Sequence, residues 1–258
     1  MLKTRVLSAL IMVPVALACA WAGSPVFDIA IAAVAVIMAH EWQAIVQAGW
    51  RAPGWASGAA SAAAALLAVP APEAALALIA GAVPLVWLLA RSRDGAGWAA
   101  LGVLYVALPA MTLVWLREHG GLATLIWIFV IVWVTDTGGY VFGKNIGGPK
   151  LSPRISPNKT WAGLLGGAFS AMVAGAAVAF LVNPTAALAL ILFSGGLAIV
   201  EQMSDLTESY VKRRFGVKDS GHIIPGHGGV LDRVDGLVLT APVVALATYL
   251  AQGGITAW

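Results

Sequence analysis

Apolar residues come in long blocks along this chain, broken by glycine, proline and charge. A bilayer core of about 30 Å takes about 20 helical residues to cross. Nine blocks approach that length: residues 6–22, 26–48, 55–71, 74–90, 97–116, 122–143, 161–182, 186–203 and 236–252. The stretch 55–71 is mostly Ala and Gly and is the weakest of them. The pattern predicts an all-α, polytopic transmembrane bundle of about nine spans. Residues 1–22, with Lys3 and Arg5 ahead of an apolar run, have the outline of a secretory leader. The run from Val6 to Ala22 is long for a leader and another span follows, so a retained first helix is expected.

Charge gives an independent check on this count, because Lys and Arg collect in cytoplasmic loops. With the N-terminus inside and nine alternating spans, every one of the 15 Lys and Arg residues except Arg117 falls on the cytoplasmic side. The expected topology therefore has a cytoplasmic N-terminus and an external C-terminus. Two polar loops share the inner face, residues 144–160 and 204–235. They fall in a C-terminal catalytic region, residues 121–258, preceded by N-terminal transmembrane helices over residues 1–120.

Composition agrees: 60% of residues are hydrophobic and 10% charged, against about 25% charged in a soluble domain. Cys19 is the single cysteine, which excludes an intrachain disulfide and argues against thiolate metal binding. The net charge of +3 reflects topology. With no soluble basic domain or aromatic platform, nucleic acid is not an expected partner.

The segment 204–235 holds five of the chain's 12 carboxylates, Asp205, Glu208, Asp219, Asp232 and Asp235. Asp205 and Glu208 are three apart, as are Asp232 and Asp235, a spacing that puts each pair on one helix face. Acidic oxygens converging at a membrane edge suit Mg²⁺, a hard cation that keeps waters or substrate phosphates in its shell. Ordinary solvated charges are the alternative. Gly226, Gly228 and Gly229 ahead of Asp232 let the backbone approach an anion closely. Lys212, Arg213 and Arg214 offer counter-charge, or serve as a lipid-headgroup anchor.

In the first segment, Ser156-Pro157-Asn158-Lys159-Thr160 reads as a helix start with Ser156 as N-cap and Pro157 in the first turn. Lys159 and Thr160 would then stand beside free amides able to take a phosphate. Gly163, Gly166 and Gly167 after it suit close helix packing. Asp136 lies inside the sixth span, where a carboxylate is expensive and functional by default; Glu41 in the second is a weaker case. His222 and His227 lack the partner spacing of a zinc site.

The pattern Ser209-x-x-Lys212-Arg213, Lys218-Asp219-x-Gly221 and Pro225-Gly226-His227-Gly228-Gly229-Val230-Leu231-Asp232-Arg233-Val234-Asp235 resembles the signature of the phosphatidate cytidylyltransferase (CDP-diacylglycerol synthase) family. Ser156-Pro157-x-Lys159-Thr160-Trp161 with Gly163, Gly166 and Gly167, and Asp136-Thr137 with Tyr140, are similar to two further motifs of that family in the same order. The resemblance runs from about Val134 to Leu237, with the N-terminal half alike only in having many spans. Ala162 stands where the family usually has an acidic residue, and Asn158 replaces a commoner Lys.

The resemblance implies a multi-pass inner-membrane enzyme, a homodimer facing the cytoplasm. It would convert CTP and phosphatidate to CDP-diacylglycerol and pyrophosphate with Mg²⁺, a second, monovalent cation being allowed. It assigns Asp205, Asp232 and Asp235 to the metal centre and, with Lys159, to catalysis. Asp136, Ser156, Thr160, Ser209, Lys212, Arg213, Lys218, His227, Gly228, Gly229 and Arg233 would bind substrate. Two rivals are kept: a relative acting on another lipid phosphate or on a polyprenol, and a transporter using Asp136 and Glu41 as ion-coupling carboxylates.

Overall fold

The computed structural model describes residues 2–47, 50–91, 95–224 and 228–258, with side chains from residue 10 onward except Gln47. Seven of the described helices are long and apolar enough to cross a membrane, so the chain has the make-up of a polytopic membrane protein. Two further α-helices are described beside these seven. The chain divides into two compact units, Met1–Glu118 with Arg214–Val234, and His119–Arg213 with Asp235–Trp258.

The first unit holds α1 (Leu2–Ala22), α2 (Val26–Gln47), α3 (Ala52–Leu67), α4 (Pro72–Ala90) and α5 (Ala96–His119). At 16 residues α3 is short for a span. Small residues along α3 let it pack between α2 and α4. Gly54, for example, faces the Trp50 indole so closely that an added Cβ would lie 2.6 Å from it. Polar ties then fix α2 against α5: Trp42 Nε1 donates to the Trp98 carbonyl at 2.8 Å and Gln43 Nε2 to that of Ala99 at 3.1 Å. Arg117 Nε donates to the Ala20 carbonyl, joining the end of α5 to the end of α1.

The second unit starts with α6 (Gly121–Asn145) and a hairpin of β1 (Lys150–Ser152) and β2 (Ser156–Thr160). There follow α7 (Trp161–Val182), a 3₁₀ turn (Pro184–Ala186), α8 (Ala187–Arg214) and most of α9 (Leu231–Leu250). Helices α6 and α7 meet through small residues, as the glycine run suggested: a Cβ on Gly163 would lie 2.8 Å from the Gly139 carbonyl oxygen, and one on Gly167 3.0 Å from that of Thr135. The C-terminal segment is tied into the same unit by Ile255 N donating to Thr124 Oγ1 and Asn183 Nδ2 donating to the Trp258 carbonyl.

Two expectations are corrected. Ser156 does not cap a helix; it pairs with Ser152 in the hairpin, and Lys150 pairs with Thr160. Pro157 sits in a strand, where a two-stranded edge tolerates its missing N–H. The cap of α7 is Thr160, whose hydroxyl accepts from Gly163 N at 3.1 Å. Likewise residues 204–214 are not loop but the last turns of α8. At 28 residues this helix is about 42 Å long, more than the ~30 Å of hydrocarbon. It carries its charged end out of the apolar run.

Candidate active site

In the second unit the candidate groups gather on α8. Glu201, Asp205, Glu208 and Lys212 recur at steps of four, three and four, one stripe of a helix. Lys159, from the end of β2, places Nζ 2.6 Å from Asp205 Oδ2, and Ser209 Oγ donates to Oδ1 of the same carboxylate at 3.2 Å. Asp205 is thus gripped through both oxygens. Glu208, one turn on, is buried and pairs with Lys212 Nζ at 3.0 Å.

Asp235 on α9 hydrogen-bonds the Glu208 side chain and lies in electrostatic reach of Asp205 and Asp136. Its backbone carbonyl accepts from Ser204 Oγ, which accepts in turn from Leu239 N, so α8 and α9 are pinned where they meet. Glu201, fully buried, has Asp136, Lys159 and Asp205 around it. Its Oε2 accepts from Gln202 Nε2 at 2.9 Å, whereas Oε1 is buried with no hydrogen-bond partner. Gly236 leaves the space it occupies, since a Cβ there would stand 3.2 Å from Oε1.

Five carboxylates thus face two lysines. All donors are oxygen, negative charge is in excess, and one buried oxygen is unpartnered, a donor set that suits a hard divalent cation. The set fits Mg²⁺ in chemistry and charge. The side chains stand apart, however: among the described residues no three His, Cys, Asp or Glu groups are gathered as metal ligands.

Asp232, the third residue of the expected metal trio, belongs to the first unit and has partners of its own there. Its Oδ2 accepts from Ser220 N at 2.8 Å, Ser220 Oγ at 2.9 Å and Gly229 N at 2.9 Å. Glu41, buried on α2, completes this second cluster. Its Oε1 accepts from Val230 N at 2.9 Å and its Oε2 from Leu231 N at 2.7 Å, while Ser220 Oγ, whose single proton Asp232 and Glu41 share, lies 3.2 Å from Oε2. The amides of the glycine-rich turn therefore do meet anions, but these are the chain's own carboxylates. Gly228, at φ +82°, passes so near Asp232 that a Cβ would lie 2.7 Å from Oδ2.

Of the remaining expected residues, Asp136, Lys218 and Arg233 have exposed side chains, and Arg213 Nε donates to the Ile155 carbonyl. Ser156 sits in the hairpin that carries Lys159. His227 lies outside the described residues. The residue missed by sequence reasoning is Glu201. Extending the Asp205–Glu208 stripe one turn back would have found it.

Helices long and apolar enough to cross a membrane, one of them ending in clustered carboxylates and basic residues, give the chain the make-up of a polytopic membrane protein. The chain belongs to the cytidylyltransferase family, whose model matches residues 3–251. It is 40% identical over 251 residues to the phosphatidate cytidylyltransferases of Brucella suis biovar 1 (strain 1330) and Brucella abortus (strain 2308), an overlap of 95% of this chain and 92% of each relative. It is 41% identical over 158 residues to that of Rickettsia felis (strain ATCC VR-1525 / URRWXCal2), covering 58% of this chain and 70% of the relative. The likeness thus reaches well into the N-terminal half, beyond the stretch where the motifs lie.

Proposed function

We propose that this protein transfers the cytidylyl group of CTP to phosphatidate, forming CDP-diacylglycerol and pyrophosphate. Family membership over nearly the whole chain supports the chemistry. The observation that carries it within the structure is the Lys159–Asp205 pair, set among the carboxylates of α6, α8 and α9.

A phosphate oxygen of phosphatidate attacks the α-phosphorus of CTP, a new P–O bond forms, and the bond to the bridging oxygen breaks as pyrophosphate leaves with its electron pair. The lipid supplies the nucleophile, so the protein has only to position the reactants and offset charge. Lys159 is the cation for the reacting phosphates, and Asp205, itself held by Ser209, aims it. Thr160 caps α7 through its hydroxyl oxygen and retains the hydroxyl proton for a phosphate. Arg213, Lys218 and Arg233 are assigned to the pyrophosphate or the lipid headgroup. Asp205 and Asp235, with Glu201 behind them, would hold Mg²⁺, which when bound neutralises triphosphate charge. Asp232, engaged with Ser220 and Gly229, shapes the start of α9.

The lopsided Lys and Arg distribution supports nine spans, a cytoplasmic N-terminus and a site on the cytoplasmic face of the cell membrane. A homodimer is the assembly that the resemblance suggests, and the mass of the purified protein in detergent decides it.

The test uses CTP labelled at either the α- or the γ-phosphate, presented with phosphatidate in mixed micelles. Label from the α position enters the lipid fraction only when phosphatidate and Mg²⁺ are both present. Lipid labelled from the γ position would mean phosphoryl transfer and would contradict the proposal.

A further inference from the structure

Among the described residues, the N-terminal half contributes the Glu41 side chain to the glycine-rich signature segment, and nothing in the motifs points to it. Glu41 is 2% exposed, yet it sits 190 residues from the amide it holds most closely, that of Leu231. Val230 and Leu231 offer two of the amides that any helix leaves unpaired at its start, and both point at Glu41. Ser220 Oγ links Glu41 to Asp232, lying within hydrogen-bond distance of both carboxylates. The turn is built around this arrangement. A Cβ on Gly221 would lie 2.7 Å from Glu41 Oε1, and one on Gly229 would lie 2.6 Å from Glu41 Oε2.

We infer that Glu41 is a positioning residue for the reaction: from α2 it clamps the start of α9, and so fixes the first turn, which presents Asp232 and Arg233. This rests on the cytidylyltransferase reading. The clamp needs a carboxylate rather than an amide. Both Glu41 oxygens accept from N–H donors, and the NH₂ of a glutamine would face one of those N–H groups donor to donor. It also needs the length of Glu, since Asp is one methylene shorter and cannot reach both amides from the same backbone position. Glu41 touches no reacting group in this account; its effect is carried by the first turn of α9.

The experiment compares wild-type protein with Glu41→Gln and Glu41→Asp in detergent, measuring steady-state kinetics and amide hydrogen exchange. For Glu41→Gln, kcat is expected to fall about tenfold or more while KM for CTP and for phosphatidate stays within about twofold, the pattern of a group needed for alignment and not for ground-state binding. The amides of residues 228–232 exchange faster in the same variant, and Glu41→Asp recovers part of both losses. Ser220→Ala guards against a Glu41 variant that does not fold. It keeps the carboxylate–amide bonds and removes only the link to Asp232, so a smaller fall in kcat with unchanged KM is expected. Unchanged kcat beside faster exchange would make Glu41 a stabilising cap only and overturn the inference, as would a rise in KM for CTP with kcat intact. Wild-type protein that forms no CDP-diacylglycerol overturns the cytidylyl reading and the catalytic half of this inference together, whereas an active wild type with fully active variants overturns this inference alone.

Discussion

The two carboxylate clusters are built in opposite ways. In the first unit, Glu41 and Asp232 direct three of their four oxygens at backbone amides and the Ser220 hydroxyl, all within 3.2 Å. In the second, Asp136, Glu201, Asp205 and Asp235 face one another, with Lys159 among them and one Glu201 oxygen unpartnered. A carboxylate paired with backbone amides holds the fold in place and has little capacity left for a ligand. Carboxylates crowded against like charge destabilise the fold and are ready for a cation or a phosphate's counter-ions. The clusters should therefore divide by phenotype, the one around Asp205 acting on turnover with little effect on stability, and the one around Glu41 acting on stability and, through the start of α9, on turnover.

The sharpest way to break that division is at Lys159. Lys159→Met is expected to lower turnover by about 100-fold or more while thermal unfolding stays within a few degrees of wild type, because a half-buried ion pair of this kind adds little to stability. Glu201→Gln should follow, with turnover down about tenfold or more and a melting temperature equal to or above that of wild type, since the change replaces a buried carboxyl group that has an unpartnered oxygen. A clear loss of stability there would blur the comparison.

The Glu41–Asp232 cluster should show its largest effect on stability. Gly221→Ala forces a Cβ against Glu41, with an expected loss of about 1–3 kcal/mol read by denaturation in detergent. The smallest effect is expected at Thr160→Ala, which removes the α7 cap for about 1 kcal/mol; any further fall in turnover would report on the hydroxyl as a phosphate ligand.

How much of this was open to reading from sequence follows from what hydropathy measures. It tracks contact with lipid, so the core of α7 was placed at 161–182, where the helix lies, and α6 within a few residues of its ends. The same measure ended the eighth span at residue 203, although α8 runs on to Arg214, because its last turns are polar while still helical. Glu201 was lost inside that apolar run. The hairpin was misread because Ser-Pro ahead of an apolar stretch marks a helix start as readily as an edge strand, and only the pairing of Ser156 with Ser152 separates the two. Asp205 and Asp235 were legible from their spacing, and Lys159 from its place in a motif. Glu41 could be suspected from the cost of a carboxylate in a span, but its partners lie far along the chain and no local pattern connects them.

The most direct test of the account is the turnover of Asp205→Asn, measured as pyrophosphate released and α-labelled lipid formed from CTP and phosphatidate with Mg²⁺, beside a wild-type preparation of matched helicity and melting temperature. The expected result is equal amounts of both products from wild type and at least a ~100-fold reduction of both in the variant. A variant that turns over like wild type would contradict the placement of the reaction at this cluster.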